Sequence, residues 1–229
     1  MQNNNGIILF DSKPRIVSFA SAAGKKEAEG PLREEFDRII SDSYAGMPTF
    51  EQGESELSRI AIREALGKAS LEDEDIGAAF CGDLLNQCVA SSYAVNGMRI
   101  PYAGIYGACS TMALGLILSA VAVDSGAVRR ALCAASSHYC TAERQYRFPL
   151  EYGSQRPPTS QWTVTGAGAC VIEANSESAV GGGMGNSAGR IVPNTDMPYI
   201  RGACIGMIND MGMTDQNNMG AAMAPADVK

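Results

Sequence analysis

The chain of 229 residues is long enough to hide about 70–75% of its unfolded surface, so it needs neither disulfide nor metal staples to fold. Hydrophobic residues at 45%, aromatics at 7% and 25 glycines suit small-residue packing of helices on a sheet, an α/β class, better than an aromatic-rich sandwich. A net charge of −7 and a pI near 4.8 exclude the clustered Lys and Arg that hold phosphates, so no nucleic-acid partner is expected.

In chain order, residues 14–20 (PRIVSFA) read as a first strand that leaves through a polar, Gly-bounded loop at 21–30. Residues 31–40 (PLREEFDRII) put proline at the N1 position of a predicted helix. Residues 54–69 set Leu57, Ile60, Ala61, Glu64 and Ala65 at helical spacing. The apolar run 76–85 breaks at Gly82-Asp83, as a strand buried on both faces does when it ends at a functional edge. A helix at 87–95, a strand at 101–106, a helix at 110–125, a strand at 128–135 and a glycine-interrupted strand at 163–174 follow. The β-α-β-α-β order predicts a parallel sheet with right-handed crossovers. The most apolar stretch, 112–123, is about a dozen residues where a membrane span needs about 20, and reads as a core helix. The opening residues carry no secretory pattern, so a protein that is neither secreted nor membrane-spanning is expected.

The seven cysteines, at 81, 88, 109, 133, 140, 170 and 204, are odd in number and form no C-x-x-C pair. They predict free thiols in a reducing compartment, with no metal and no cofactor. Cys109 stands where a strand turns through Gly107-Ala108 straight into a helix. A thiol there faces the orphan amides of the first helical turn, which favour thiolate, a nucleophile's position; the alternative is a cysteine that packs like alanine. His138, the single histidine, follows a predicted strand. At the carboxyl edge of an open parallel sheet it would share a rim with Cys109, Asp83 and Asn86. A lone histidine is as readily a structural hydrogen-bonder, and Asp83 and Asn86 as readily satisfy loop amides. Residues 141–153 read as a long charged, aromatic connection in which Arg144 or Arg147 could hold a carboxylate or pair with Glu143 or Glu151. The run 181–186 (GGGMGN) lacks the Lys-Ser/Thr pair of a phosphate loop and reads as a flexible loop.

Five segments carry a resemblance: GACST at 107–111, GDLLNQ at 82–87, ASSHYCTAERQYRFPLEYG at 135–153, TVTGAGA at 163–169 and DMGMTDQNNMGAAMAPA at 210–226. Together they resemble the stage V sporulation AD family, a branch of the thiolase-like superfamily, from about Arg15 to the last residue with a divergent patch at 175–202. The resemblance implies a layered α/β fold, a mostly parallel sheet flanked by helices. It implies an N-terminal domain over 1–202 and the start of a second half at 203–229, a half that elsewhere in the superfamily supplies the catalytic histidine. The acyl-transfer apparatus is then incomplete. The implied function is non-enzymatic binding of dipicolinic acid, with or without calcium, for uptake into the developing spore. The implied ligand-binding residues are Cys109, Ser110, Asp83, Asn86, Ser136, Ser137 and His138. The implied partners are other proteins of the spore dipicolinate transport system and a second copy in a homodimer, with a peripheral place at the spore inner membrane. The alternative is an acyltransferase acting on an acyl thioester, with Cys109 as nucleophile and His138 as a substitute base. A further reading is a remnant whose helix at 110–125, apolar nearly all round, needs cover from elsewhere.

Overall fold

The computed structural model describes residues 6–146, 163–175 and 197–206. The elements in order are β1 (Ile7–Leu9), β2 (Arg15–Gly24), β3 (Arg38–Ile40), α1 (Phe50–Lys68), β4 (Ala78–Gly82), α2 (Val89–Val95), β5 (Tyr102–Gly104), α3 (Thr111–Asp124), β6 (Arg130–Ser137), α4 (Tyr139–Tyr146), β7 (Gly166–Glu173) and β8 (Gly202–Cys204). The chain divides into two units, Phe10–Arg201 and the terminal stretches Met1–Leu9 with Gly202–Lys229. In the terminal unit β1 and β8 pair antiparallel, with Ile8 opposite Ala203.

The larger unit holds a six-stranded sheet in the order β3-β2-β7-β6-β4-β5. The β2–β3, β4–β5 and β4–β6 pairs are parallel, and β7 is antiparallel to both β2 and β6. The mostly parallel sheet is as expected, but the wholly parallel order is corrected at β7. The chain leaves β6 at Ser137 and re-enters the sheet at Gly166 directly opposite it, on the same edge, so β7 must run back the other way.

Side-chain alternation along the strands builds two apolar layers. Leu132, Ala134, Ala169, Val171, Ala20 and Ala22 pack against Leu57, Ala61, Ile62, Ala65 and Leu66 of α1. On the opposite face Ala131, Cys133 and Ile172 meet Met112, Leu116 and Val123 of α3. The helix α1 starts at Thr49, whose extended backbone frees its hydroxyl to accept the Gln52 amide at 3.2 Å. Arg59 reaches from α1 to the last carbonyls of α2, donating to Tyr93 O at 2.7 Å and Ala94 O at 3.1 Å.

Three further expectations need correction. Residues 31–40 form one tight turn at Arg33–Glu35 and then β3. Leu32 is 60% exposed, so a helix there has no apolar stripe to bury, whereas Arg38–Ile40 gains a ladder against Ala22–Gly24. The first strand runs on to Gly24 where a loop is predicted from 21. Residues 139–146 are helical, not an irregular connection. The stretch holding Arg147, Glu151 and the glycine run 181–186 lies outside the described residues.

Gly82, at the end of β4, has no room for a side chain: a Cβ would stand 2.1 Å from Ile105 O and 2.5 Å from Thr111 Cγ2. Backbone cannot yield as a flexible side chain does, so Gly82→Ala is expected to destabilise by about 3 kcal/mol. The shift in urea midpoint measures it, and an unchanged midpoint contradicts this close packing.

Candidate functional site

The carboxyl ends of β2, β4, β5 and β6 open on one edge of the sheet, because these four strands run the same way. Open α/β sheets bind ligands at such an edge. Cys109 lies there on a short turn, Ala108–Ser110, between β5 and α3. The turn is tightly held. Ser110 Oγ donates to Gly107 O at 2.7 Å, Thr111 Oγ1 donates to Ala108 O at 2.8 Å, and Gly107 N donates to Thr111 Oγ1 at 3.1 Å. Ala108 takes a left-handed φ of 46°, a local strain that surrounding packing must hold. The Ile105 amide donates to Cys81 O at 2.9 Å, which fixes the turn beside the end of β4. Cys109 and Ser110 are exposed. Burial instead pushes the Cys81 thiol up to about 12 and raises Cys88, so those thiols stay protonated.

The other predicted site residues are engaged. Asp83, 1% exposed, accepts from Leu85 N at 2.8 Å and from Ser91 N at 2.7 Å, closing the loop into α2. Asn86 is exposed and bonded to α4, its Oδ1 accepting from Gln145 Nε2 at 3.0 Å. Ser137 Oγ donates to Val164 O at 2.6 Å. His138 is buried against Phe50, ring centroids 5.2 Å apart. Its Nδ1 accepts from Cys140 N at 3.1 Å, and Nε2 lies 2.8 Å from Ser43 O, so the neutral tautomer with hydrogen on Nε2 satisfies both. Burial holds its pKa below the usual imidazole value. Arg144 pairs with Glu51 at 2.9 Å rather than with Glu143. Ser136, and Thr141 next to His138, meet a carboxylate that the sequence pattern does not single out as a site residue, with the Asp83 charge nearby. Glu54 of α1 has no exposed surface, and its carboxyl receives Ser136 Oγ at 3.2 Å and lies 2.7 Å from Thr141 Oγ1. The signal is its phase: 54, 57, 61 and 65 fall on one helical stripe, so Glu54 lies in register with Leu57, Ala61 and Ala65.

Beside this cluster opens a cavity of about 300 Å³ whose lining includes Lys25, Lys26, Ser43, His138, Cys140 and Thr165. Glu27 and Glu29 line the same hollow, and the His138 ring N–H is already given to Ser43 O, so the lining mixes two lysines with two carboxylates, and of the predicted site residues it includes His138 alone. Among the described residues no cluster of three or more His, Cys, Asp or Glu could hold a metal ion. No helix among them is long and apolar enough to cross a membrane.

A sheet with one reversed strand, helices on both faces and a cysteine turn at its carboxyl edge defines a thiolase-like fold. Solved structures agree: a variant of OleA from Xanthomonas campestris matches at a TM-score of 0.51 and 18% identity, over 75% of this chain and 60% of that one. The 3-oxoacyl-(acyl carrier protein) synthase III of Xanthomonas oryzae pv. oryzae matches at 0.50 and 17% identity, over 75% and 59%. Within that fold, the chain belongs to the stage V sporulation protein AD family, whose model matches residues 4–229. It is 38% identical over 218 residues to stage V sporulation protein AD of Bacillus subtilis (strain 168), covering 95% of this chain and 59% of that protein's length.

Proposed function

We propose that this chain is a sporulation protein that binds dipicolinic acid without chemistry, for its uptake into the developing spore. The observation that carries the reading is the shared edge. The exposed, tightly held Cys109–Ser110 turn and the exposed Asn86 lie at the edge where such folds bind ligands, with Asp83, Ser136 and His138 buried behind them and a cavity lined in part by Lys25 and Lys26 beside His138. A rigid dianion needs fixed donors there, because the overall charge of −7 repels it only weakly beyond a screening length of about 8–10 Å. Calcium travelling with the ligand offsets the rest. In the same reading the partners are the other proteins of the spore dipicolinate transport system and a second copy of the chain, at the periphery of the spore inner membrane.

An acyltransferase reading through Cys109 gains no base from His138, whose two ring nitrogens are committed to Ser43 O and Cys140 N.

The test is a calorimetric titration with dipicolinate, with and without calcium, beside Cys109→Trp. Saturable binding that the tryptophan abolishes in a still folded chain, with Cys109→Ala nearly unaffected, is the expected result. No binding by the folded wild-type chain overturns the reading for this chain.

A further inference from the structure

The hydrogen-bond geometry around Glu54 accommodates a carboxylic acid and ties α1 to β6 and α4. Thr141 Oγ1 carries one hydrogen but stands 2.7 Å from Glu54 Oε2 and 3.0 Å from His138 O. If Glu54 is a carboxylic acid, Oε2–H donates to Thr141 Oγ1 and Thr141 donates to His138 O, so every polar atom is matched. If Glu54 is ionised, the Thr141 hydrogen must turn to the carboxylate, and the His138 carbonyl keeps only the Ala142 amide at 3.0 Å.

The charges facing Glu54 favour the acid. Asp83 beyond β4 and Glu51 on α1 both oppose ionisation, and Arg144 of α4 is engaged with Glu51. His138, between β6 and α4, is buried and kept neutral by desolvation. Across the sheet α1 meets Ala167, Ala169 and Val171 of β7, none of them titratable. Burial first, with Asp83 and Glu51 adding to it, raises the Glu54 carboxyl to about 7.

We propose that Glu54 is a proton-linked latch: protonated, it fastens the start of α4 to α1 and β6, and loss of the proton loosens that segment. His138, Tyr139 and Cys140 belong to the segment and line the cavity. The latch therefore sets the cavity wall, and its effect on ligand affinity rests on the function proposed above. Ionisation places an unpaired charge among buried groups, which burial penalises steeply, so the segment opens to let water reach the carboxylate.

The test reads the latch without any ligand. Amide hydrogen exchange of residues 139–146, corrected for intrinsic rates, is compared between pH 6 and pH 8 in the wild-type chain and in Glu54→Gln. In parallel the 13C carboxyl resonance of Glu54, identified by its absence from the variant, is titrated. The expected result is a tenfold or greater loss of protection on raising the pH in the wild-type chain, little change in Glu54→Gln, and a carboxyl midpoint near 7. Parallel exchange profiles in the two chains, or a midpoint near the ordinary 4.5, overturn the latch. A dipicolinate titration at the same two pH values then reports on the ligand alone: absent binding with pH-dependent exchange counts against the proposed function and leaves the latch standing.

Discussion

Replacing Asp83 with alanine is expected to lower stability by about 3 kcal/mol at neutral pH. Each carboxylate oxygen accepts one buried amide, Leu85 N at 2.8 Å and Ser91 N at 2.7 Å. A hydrogen bond to a charged group contributes about 1.5–3 kcal/mol, and the truncation orphans both donors at once. Part of that loss is returned, because removing the Asp83 charge relieves Glu54, which keeps the net effect near the lower end of the sum. Asp83→Asn discriminates. Its single carbonyl oxygen can serve one amide, while its NH2 faces the other, so it is expected to lose about as much as the alanine variant. Urea unfolding midpoints give both values, and a cost below about 1 kcal/mol for alanine means that the loop finds other acceptors.

The second large effect is a dependence of stability on pH. The Glu54 pKa is raised from 4.5 to about 7, so between those values the folded chain keeps a proton that the unfolded chain has released. Stability then falls as pH rises across that window, by up to about 3 kcal/mol at 1.36 kcal/mol per pKa unit. His138 acts with the opposite sign. Its lowered value means that the unfolded chain takes up a proton first as pH falls below 6.5, so its contribution is lost on the acid side. Asp37 and Asp73, both lowered, lose theirs below 3.8. The wild-type curve therefore mixes opposed slopes, and the difference between it and Glu54→Gln isolates one group. That difference is expected to shift in favour of the variant by about 3 kcal/mol from pH 4.5 to 7. A flat difference contradicts the buried acid.

Much of the scaffold is legible in the sequence because burial writes periodic patterns. The stripe from Leu57 to Ala65 gives α1 to within a few residues. The apolar run broken at Gly82-Asp83 gives β4 and the point where it ends. The direction of β7 is not legible, since an alternation of glycine, alanine and valine reads the same from either end. The helix expected at 31–40 fails because proline at N1 and scattered charges describe a start with no face to bury. At the rim, residue types reveal that Cys109, Asp83 and His138 converge on one edge, but not which are already satisfied. Asp83 closes the α2 loop and His138 binds Ser43 O, and neither bond leaves a trace in spacing. Glu54 was findable only as a carboxylate in phase with an apolar stripe.

The placement of β7 also governs how the chain acquires its structure. It lies between β2 and β6, and its Ala169 pairs with Ala20, about 150 residues earlier. Strands β4, β5 and β6 can assemble around α3 from sequence neighbours. The β2–β3 ladder, by contrast, joins them only through β7. On a ribosome α1 can cover the apolar face of β2 early, but one hydrogen-bonding edge of β2 stays unpaired until residues 166–173 have emerged. Long-range pairing of this kind is slow and exposes the waiting segment to aggregation. The step that completes the sheet is thus among the last, and the edge left open in the meantime is that of β2.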